Sequence, residues 1–341
     1  MMSAKAASRP GPGRPGIGDS RPPAQAAFVA RFLAYGEPLR AQTAACVAVA
    51  DPDGARERLL ETPGSPTSCL AALNPPPLPQ AYLALRRAVD DPLATPAGVG
   101  AIISMDPGLA AYVLRLANSP LYAPAARVET ISRAVTLIGL TELETMAAGS
   151  ALSRLAACPP RPDLLVLDDF WKHAVAVGLL SRALAERVGE RGGERFFVAG
   201  LLHDVGRLLL AVAEPDLAAV SLARTGPSRL SLDAAERLEL GFDHAALGGR
   251  IAGKWRLPEH LAVAVAGHHQ PSQCPDSLMA AAVHAADFMA NALGVRATPC
   301  AGLPRLDGRV LAPFNLEQAD PVEFQEILTS GLAAMIALVA S

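Results

Sequence analysis

From Leu78 onward, apolar residues recur three and four positions apart, as on one face of a helix, and hardly any segment alternates as a half-buried strand does. The pattern predicts an all-α protein. Two boundaries have a physical reason: Pro107 suits a first helical turn, and Thr141 with Glu144 is typical of a capping box. The first predicted helices are Pro79–Val89, Pro96–Ser104, Pro107–Ala117, Ile131–Ile138 and Thr141–Leu155.

A break over Cys158–Asp163 separates these helices from a second group. The same periodicity predicts the helices of that group over Asp168–Val188, Arg195–Ala213, Leu217–Thr225, Leu232–Glu239, Asp243–Trp255, Pro258–His268 and Leu278–Leu293. Residues Arg296–Phe314 are typical of a loop, and Val322–Val339 is predicted as a closing helix. The chain from 295 to 341 is therefore expected to be a loop and a helix.

Residues 1–77 differ from the rest of the chain because they hold 12 of its 30 prolines. This composition favours a Pro- and Ala-rich tail, partly disordered, which ends in the stiff extended run Pro75-Pro76-Pro77. Within the tail, Gln25–Leu39 and Ala41–Leu60 have the pattern of short helices.

Charge and composition exclude several classes of protein. The formal charge is −3, which excludes a broadly cationic nucleic-acid binder, and the basic residues near the N-terminus are too few to favour nucleic acid as a partner. No stretch of 18 uninterrupted apolar residues occurs, so no membrane-spanning helix is predicted. The five cysteines are odd in number and never paired as C-x-x-C, which argues against disulfides and thiolate zinc sites and favours a reducing cytoplasm.

The histidines are clustered, since all seven lie between residues 173 and 284. The most informative unit is His203-Asp204, which lies inside an apolar run from Phe196 to Leu210. An imidazole and a carboxylate buried there cost several kcal/mol unless each has a partner. A structural His–Asp pair and a metal-binding pair both remove that cost, and the local sequence leaves both open.

The second half of the chain contains enough nitrogen and oxygen donors for a divalent-metal site. In sequence order these candidate ligands are His173, His203, Asp204, His244, His268, His269 and Asp287. Asp169 shares a helix face with His173, and His284 shares one with Asp287. Arg207 follows His203 by four residues. Other interpretations stay open: His244 could belong to a capping turn, and His268-His269 could merely end a helix.

The order of these residues resembles the HDOD domain, a signalling branch of the HD superfamily of metal-dependent phosphohydrolases. The similar segments in the second half are Phe170-Trp171-Lys172-His173, Phe197–Arg207, Glu239–His244, Trp255–Glu259, His268-His269 and Val283–Asp287. The resemblance extends upstream to Ile103–Leu109, Leu114–Tyr122 and Ala134–Leu140. It covers residues 78–294 and implies two helical subdomains, a helical bundle over 78–157 and an HD-like bundle over 163–294.

The resemblance also implies a function. HDOD domains are mostly regulatory modules, so we expect a bacterial signal-transduction protein that acts through signalling proteins or a small ligand. The HD-type ligand order is complete, which implies a divalent-metal site (Fe, Mn, Mg or Zn) with Asp204 as the bridging ligand. The alternative is a metal-dependent phosphohydrolase with Asp204 and Arg207 as its catalytic residues.

Two departures weigh against hydrolysis of cyclic dinucleotides. The related HD-GYP phosphodiesterases have a lysine where Arg207 stands, and an arginine, which stays protonated, does not readily donate a proton. After His269 the chain continues Gln270-Pro271-Ser272, without their Gly-Tyr-Pro signature. The sequence therefore favours the regulatory interpretation.

Overall fold

A computed structural model describes residues 28–35, 53–54, 84–85, 87–88, 91–104, 107–118, 122, 124–140, 143, 160–190, 192–228, 230–274, 277–298, 301–316 and 319–339. Within these ranges all regular structure is helical and no strand occurs, which confirms the all-α prediction. The predicted helices Ala41–Leu60 and Thr141–Leu155, the Thr141–Glu144 capping box and Pro75–Pro77 lie wholly or largely outside the described residues, and only part of Pro79–Val89 is described.

In the N-terminal part of the described chain, the longer helical stretches are α1 (28–35), α2 (Pro96–Ser104), α3 (Pro107–Ala117) and α4 (Ile131–Ile138). The last three have the predicted bounds. Thr130 caps α4 because its side chain accepts a hydrogen bond from the Arg133 backbone N–H at 3.3 Å. Helices α2, α3 and α4 pack against one another.

The second group is built around one long central helix, α5 (Leu167–Arg187), against which α6, α12 and α13 pack. Most of the side chains of α5 from Phe170 to Ala185 are buried, so this helix forms the middle of the core. The other helices are α6 (Gly193–Leu202), α7 (Val205–Ala213), α8 (Pro215–Ser228), α9 (Leu232–Leu240), α10 (His244–Lys254), α11 (Glu259–Gly267), α12 (Leu278–Ala292) and α13 (Pro321–Val339).

The prediction of one helix over Arg195–Ala213 is wrong, because the structure divides this stretch into α6 and α7. His203 and Asp204 form the turn between them, where the Arg207 N–H bonds to the Asp204 carbonyl at 2.9 Å. Neighbouring residues of an unbroken helix project about 100° apart. The break lets both side chains reach the same pocket.

Glycines bring four helices close together around this turn. A Cβ on Gly200 of α6 would lie 2.7 Å from the Cα of Gly178 on α5. A Cβ on Gly206 of α7 would lie 2.1 Å from the His244 carbonyl oxygen on α10. Both contacts are closer than any side chain allows, so the backbones of α5, α6, α7 and α10 converge beside His203 and Asp204.

Helix α1 lies within the short helix predicted over Gln25–Leu39, inside the segment predicted as a partly disordered tail. Phe28 and Phe32 are fully buried. The Phe28 ring centroid lies 6.1 Å from that of Phe288 on α12, and that of Phe32 lies 5.8 Å from that of Phe324 on α13. Aromatic burial of this size is core packing. The expected division into two subdomains stays a prediction, since one buried cluster contains residues of both helix groups.

One helical stretch among the described residues, Gly193–Ala213, is long and apolar enough to cross a membrane. The core helices of a soluble protein pass the same test, and 89% of the most apolar part of this stretch is buried inside the protein. Its burial is that of a core element, in agreement with the absence of a predicted membrane span.

Candidate metal centre

All seven predicted ligand residues converge on one pocket. His173 comes from α5, His203 and Asp204 from the turn between α6 and α7, His244 from the start of α10, and Asp287 from α12. His268 and His269 follow the end of α11. The cavity beside them has a volume of about 40 Å³, and its walls include Arg207 and all of the candidate ligands except His203 and His268. Five segments distant in sequence thus supply one site.

The helix ends explain how two of these segments reach the pocket. Asp243 is the N-cap of α10 and accepts a hydrogen bond from the Ala246 N–H at 2.8 Å, so capping is the role of Asp243 and His244 is free to point inward. His268 and His269 do end a helix, as one open interpretation held, but His268 is fully buried and the His269 ring lies against His244.

Four pocket histidines are held in the same way, through Nδ1. The acceptors of His173, His203 and His268 are the carbonyl oxygens of Val295, Gly200 and Val265, at 2.9, 2.7 and 2.7 Å. The Nδ1 of His244 lies 2.6 Å from the Oε2 of Glu236. Because Nδ1 is the donor in each case, Nε2 is directed into the pocket.

The carboxylates occupy the space between the rings. Asp204 Oδ1 lies 3.0 Å from His244 Nε2 and 3.5 Å from His203 Nε2. Asp287 Oδ1 lies 3.1 Å from His173 Nε2 and accepts a hydrogen bond from the Asn291 amide at 2.8 Å. Asp204 therefore faces both sides of the pocket.

Burial and charge act in opposite directions on the pKa values of these groups. Burial alone would raise the pKa of Asp204, but the neighbouring His203, His244 and Arg207 outweigh it and hold that pKa well below its usual range. Burial lowers the pKa of His203 to about 4. Burial likewise lowers the pKa of His269, assisted by His268. Asp204 is thus an anion, and His203 and His269 are neutral, as metal ligands must be.

The environment of His244 differs from that of the other rings. Burial alone would lower its pKa, but the carboxylates of Glu236 and Asp204 raise the pKa well above its ordinary value. Without a metal, the imidazolium therefore bridges two anions.

A divalent metal fits this donor set. Two groups have ligand atoms that all lie within 4.8 Å of one another: His173, His203 and Asp204 form one, and His244, His268 and His269 form the other. The Nε2 atoms of His203 and His268 are buried and have no hydrogen-bond partner among the described residues. Buried polar atoms are rarely left unpaired, and a cation bound by these nitrogens would satisfy both.

Several side chains that lie near the candidate ligands in sequence do not line the pocket. Asp169 pairs with Lys172 at 3.7 Å outside it, and His260 is exposed. The Nδ1 of His284 donates to the His268 carbonyl at 2.6 Å, and its Nε2 accepts from the Asp307 N–H at 2.8 Å, so it ties two chain segments together. Arg207 does reach the pocket, as its spacing from His203 predicted.

Several parts of the site were missed by the sequence analysis. Glu236 is one, because nothing in a charged helix marks a single buried glutamate, and the same holds for Asp233 on α9, which lines the cavity. Another is the chain after α12: Val295 accepts from His173, the Ala297 carbonyl accepts from Arg207 at 2.7 Å, and Ala297, Thr298, Ala301, Gly302 and Pro304 contribute to the pocket wall. Backbone acceptors have no signature in a sequence.

The chain is similar to known proteins in sequence and in fold. The model of the HDOD domain family matches residues 76–271. An uncharacterized protein of Treponema pallidum (strain Nichols) is 25% identical over 206 residues, which are 59% of this chain and 39% of that protein. The chain thus spans well under half of that curated relative.

Solved structures are similar over most of the chain. An HDOD domain protein with unknown function from Geobacter sulfurreducens is 23% identical with a TM-score of 0.60, over 84% of this chain and 96% of that one. A "putative phosphohydrolase" from Shewanella amazonensis SB2B is 26% identical with a TM-score of 0.59, over 84% and 98%. A "putative signal transduction protein" from Marinobacter aquaeolei VT8 is 22% identical with a TM-score of 0.60, over 89% and 69%.

Proposed function

This chain belongs to the HDOD family, and from that premise we propose that it is a cytoplasmic regulatory protein of signal transduction. It carries a divalent-metal site and acts by binding a signalling protein or a small ligand. The observation that carries the proposal is a complete set of ligands around a cavity of only about 40 Å³. Pockets that hold drug-sized molecules measure about 300–1,000 Å³. The site has room for ions and a few water-sized groups, but not for a nucleotide.

The burial and hydrogen bonds of Arg207 also support the regulatory function over hydrolysis. Its side chain is buried, and two of its nitrogens already donate, Nη1 to Asp204 Oδ2 at 3.4 Å and Nη2 to the Ala297 carbonyl at 2.7 Å. A guanidinium that binds a phosphate bidentately needs such nitrogens free. In this conformation Arg207 links Asp204 to the Ala297 carbonyl and so holds the pocket wall in place.

The metal would be held by His173, His203, Asp204 and Asp287 on one side and by His244, His268 and His269 on the other, with Asp204 between them. A bound Fe, Mn, Mg or Zn ion supplies Lewis acidity and, by crosslinking ligands, folding free energy. The ligands come from α5, α10, α12 and two turns. Occupancy of the site would therefore couple helices across the second half of the molecule.

A second candidate function is a metal-dependent phosphohydrolase, which the full donor set and the relative named as a phosphohydrolase favour. In this alternative Arg207 exchanges the Ala297 carbonyl for a phosphoryl oxygen, and Asp204 keeps Arg207 and His244 oriented. It requires the wall residues Ala297, Thr298, Ala301, Gly302 and Pro304 to move and widen the pocket.

A panel of phosphomonoesters and cyclic dinucleotides, assayed with Mn²⁺ or Fe²⁺, separates the two functions. We expect no turnover above that of His203→Ala or Asp204→Ala, while the wild type retains metal. Metal-dependent turnover that disappears in both variants, with their fold intact by circular dichroism, would overturn the regulatory proposal.

A further inference from the structure

Glu236 is a buried carboxylate that serves one pocket histidine and lines neither the cavity nor the candidate metal groups. It lies on α9 and is 1% exposed. Its Oε2 accepts two hydrogen bonds, from the His244 backbone N–H at 2.8 Å and from His244 Nδ1 at 2.6 Å. One oxygen atom therefore fixes both the start of α10 and the orientation of the His244 ring.

This arrangement distinguishes His244 from the other three rings anchored through Nδ1. His173, His203 and His268 donate to neutral backbone carbonyls, whereas His244 donates to a carboxylate. A carboxylate has no proton to give, so the Nδ1–H is fixed and Nε2 is the atom directed at the pocket. There Nε2 lies 3.0 Å from Asp204 Oδ1 and 2.9 Å from His269 Nε2.

We propose that Glu236 is the positioning residue of the His244 side of the metal centre. It orients the His244 ring and makes Nε2 a stronger ligand, through the carboxylate–histidine–metal arrangement by which proteins tune metal ligands. The inference rests on the proposed metal site. Glu236 contacts His244, so it acts on the His244, His268 and His269 group more than on His173 and His203.

Cobalt titration of the full chain tests the proposal, since the visible absorption of Co²⁺ reports both affinity and ligand field. We expect Glu236→Gln to weaken Co²⁺ binding at one of the two groups by roughly 10–100-fold and to shift its absorption bands, with the other group unaffected. The matched control is Glu239→Gln on the same helix, because Glu239 pairs with Arg224 outside the pocket at 3.2 Å. It should bind as the wild type does.

A double-mutant cycle with His244→Ala excludes a merely structural role. If Glu236 acts through His244, Glu236→Gln has no further effect on cobalt affinity once His244 is absent. Glu236→Asp keeps the charge and serves in the same cycle should the glutamine variant fail to fold. Equal affinity of wild type and Glu236→Gln, or the same loss in the His244→Ala background, would overturn the proposal. A wild type that binds no cobalt would refute the metal site itself.

Discussion

The Nε2 atoms of His203 and His268 are both buried, and neither has a hydrogen-bond partner among the described residues. A metal that binds only the folded chain stabilises it, by about 2.7 kcal/mol at a concentration 100 times its dissociation constant. We expect added Mn²⁺ to raise the free energy of unfolding of the metal-free wild type by that order, and a chelator to reverse the gain. Denaturant unfolding with and without metal measures it.

Two histidine variants test whether this stabilisation comes from metal bound in the pocket. His203→Ala should lose most of the gain, because it removes a ligand from the buried group. His260→Ala is the matched control, since that histidine is exposed on α11. An equal gain in His203→Ala and the wild type would show that Mn²⁺ binds elsewhere.

At this scale the sequence predicted the histidines and the aspartate that form the candidate metal groups, and their neighbour Asp287. Histidines and aspartates in apolar helices are conspicuous, because burial without partners is costly. Glu236 was not predicted, because α9 ends at Leu240 and α10 begins at His244, so the contact depends on how the chain turns between them. The Ala297 carbonyl was missed because any residue type offers the same backbone acceptor.

At the scale of elements, the approach of α7 to α10 depends on Gly206. A methyl group there would lie 2.1 Å from the His244 carbonyl oxygen and 2.6 Å from the Gly248 nitrogen, and neither backbone atom can move alone. We expect Gly206→Ala to destabilise the fold by about 1–3 kcal/mol and to weaken metal binding, because α7 and α10 must separate. Denaturant unfolding and metal titration measure the two effects.

Gly253 provides the control for this substitution. It is exposed on α10, with no atom within 4 Å of an added Cβ. Gly253→Ala should leave metal binding unchanged and cost no stability, since alanine is up to about 1 kcal/mol better than glycine in a helix. If Gly206→Ala behaves like Gly253→Ala, the close approach does not support the site.

Periodicity predicted α2, α3 and α4 with their observed bounds, because proline and threonine mark their starts and glycine ends α4. It could not predict the turn at His203-Asp204. The residues on both sides are apolar and form helices readily, so local propensity continues through the break. The contact of Asp204 with His244 on α10 accompanies the turn, and that contact is tertiary.

At the scale of the whole molecule, α1 connects the N-terminal part of the chain to α12 and α13. Phe32 is fully buried against Phe28 and Phe324. We expect Phe32→Ala to lower the free energy of unfolding by about 3–5 kcal/mol, whereas Leu93→Ala, at an 86% exposed position, should change it by less than about 0.5 kcal/mol. No difference between the two variants would show that Phe32 does not contribute to the core.

The proline and alanine counts of residues 1–77 average over the segment, so they do not indicate that Phe28 and Phe32 are packed into the core. The pair Phe28 and Phe32 has the four-residue spacing of one helix face, and its partners lie more than 250 residues away in sequence. The chain after α12 also acts through residues distant in sequence. Its backbone carbonyls contribute to the pocket because the chain passes His173 and Arg207.

The metal content of the purified protein is the direct test of whether a divalent metal occupies the pocket. The protein is produced with iron and manganese supplied, purified without oxygen and measured by elemental analysis beside Asp204→Ala, the variant that removes the carboxylate facing both ligand groups. We expect stoichiometric divalent metal in the wild type and a large loss in the variant. A wild type without metal, or equal metal in both proteins, would contradict it.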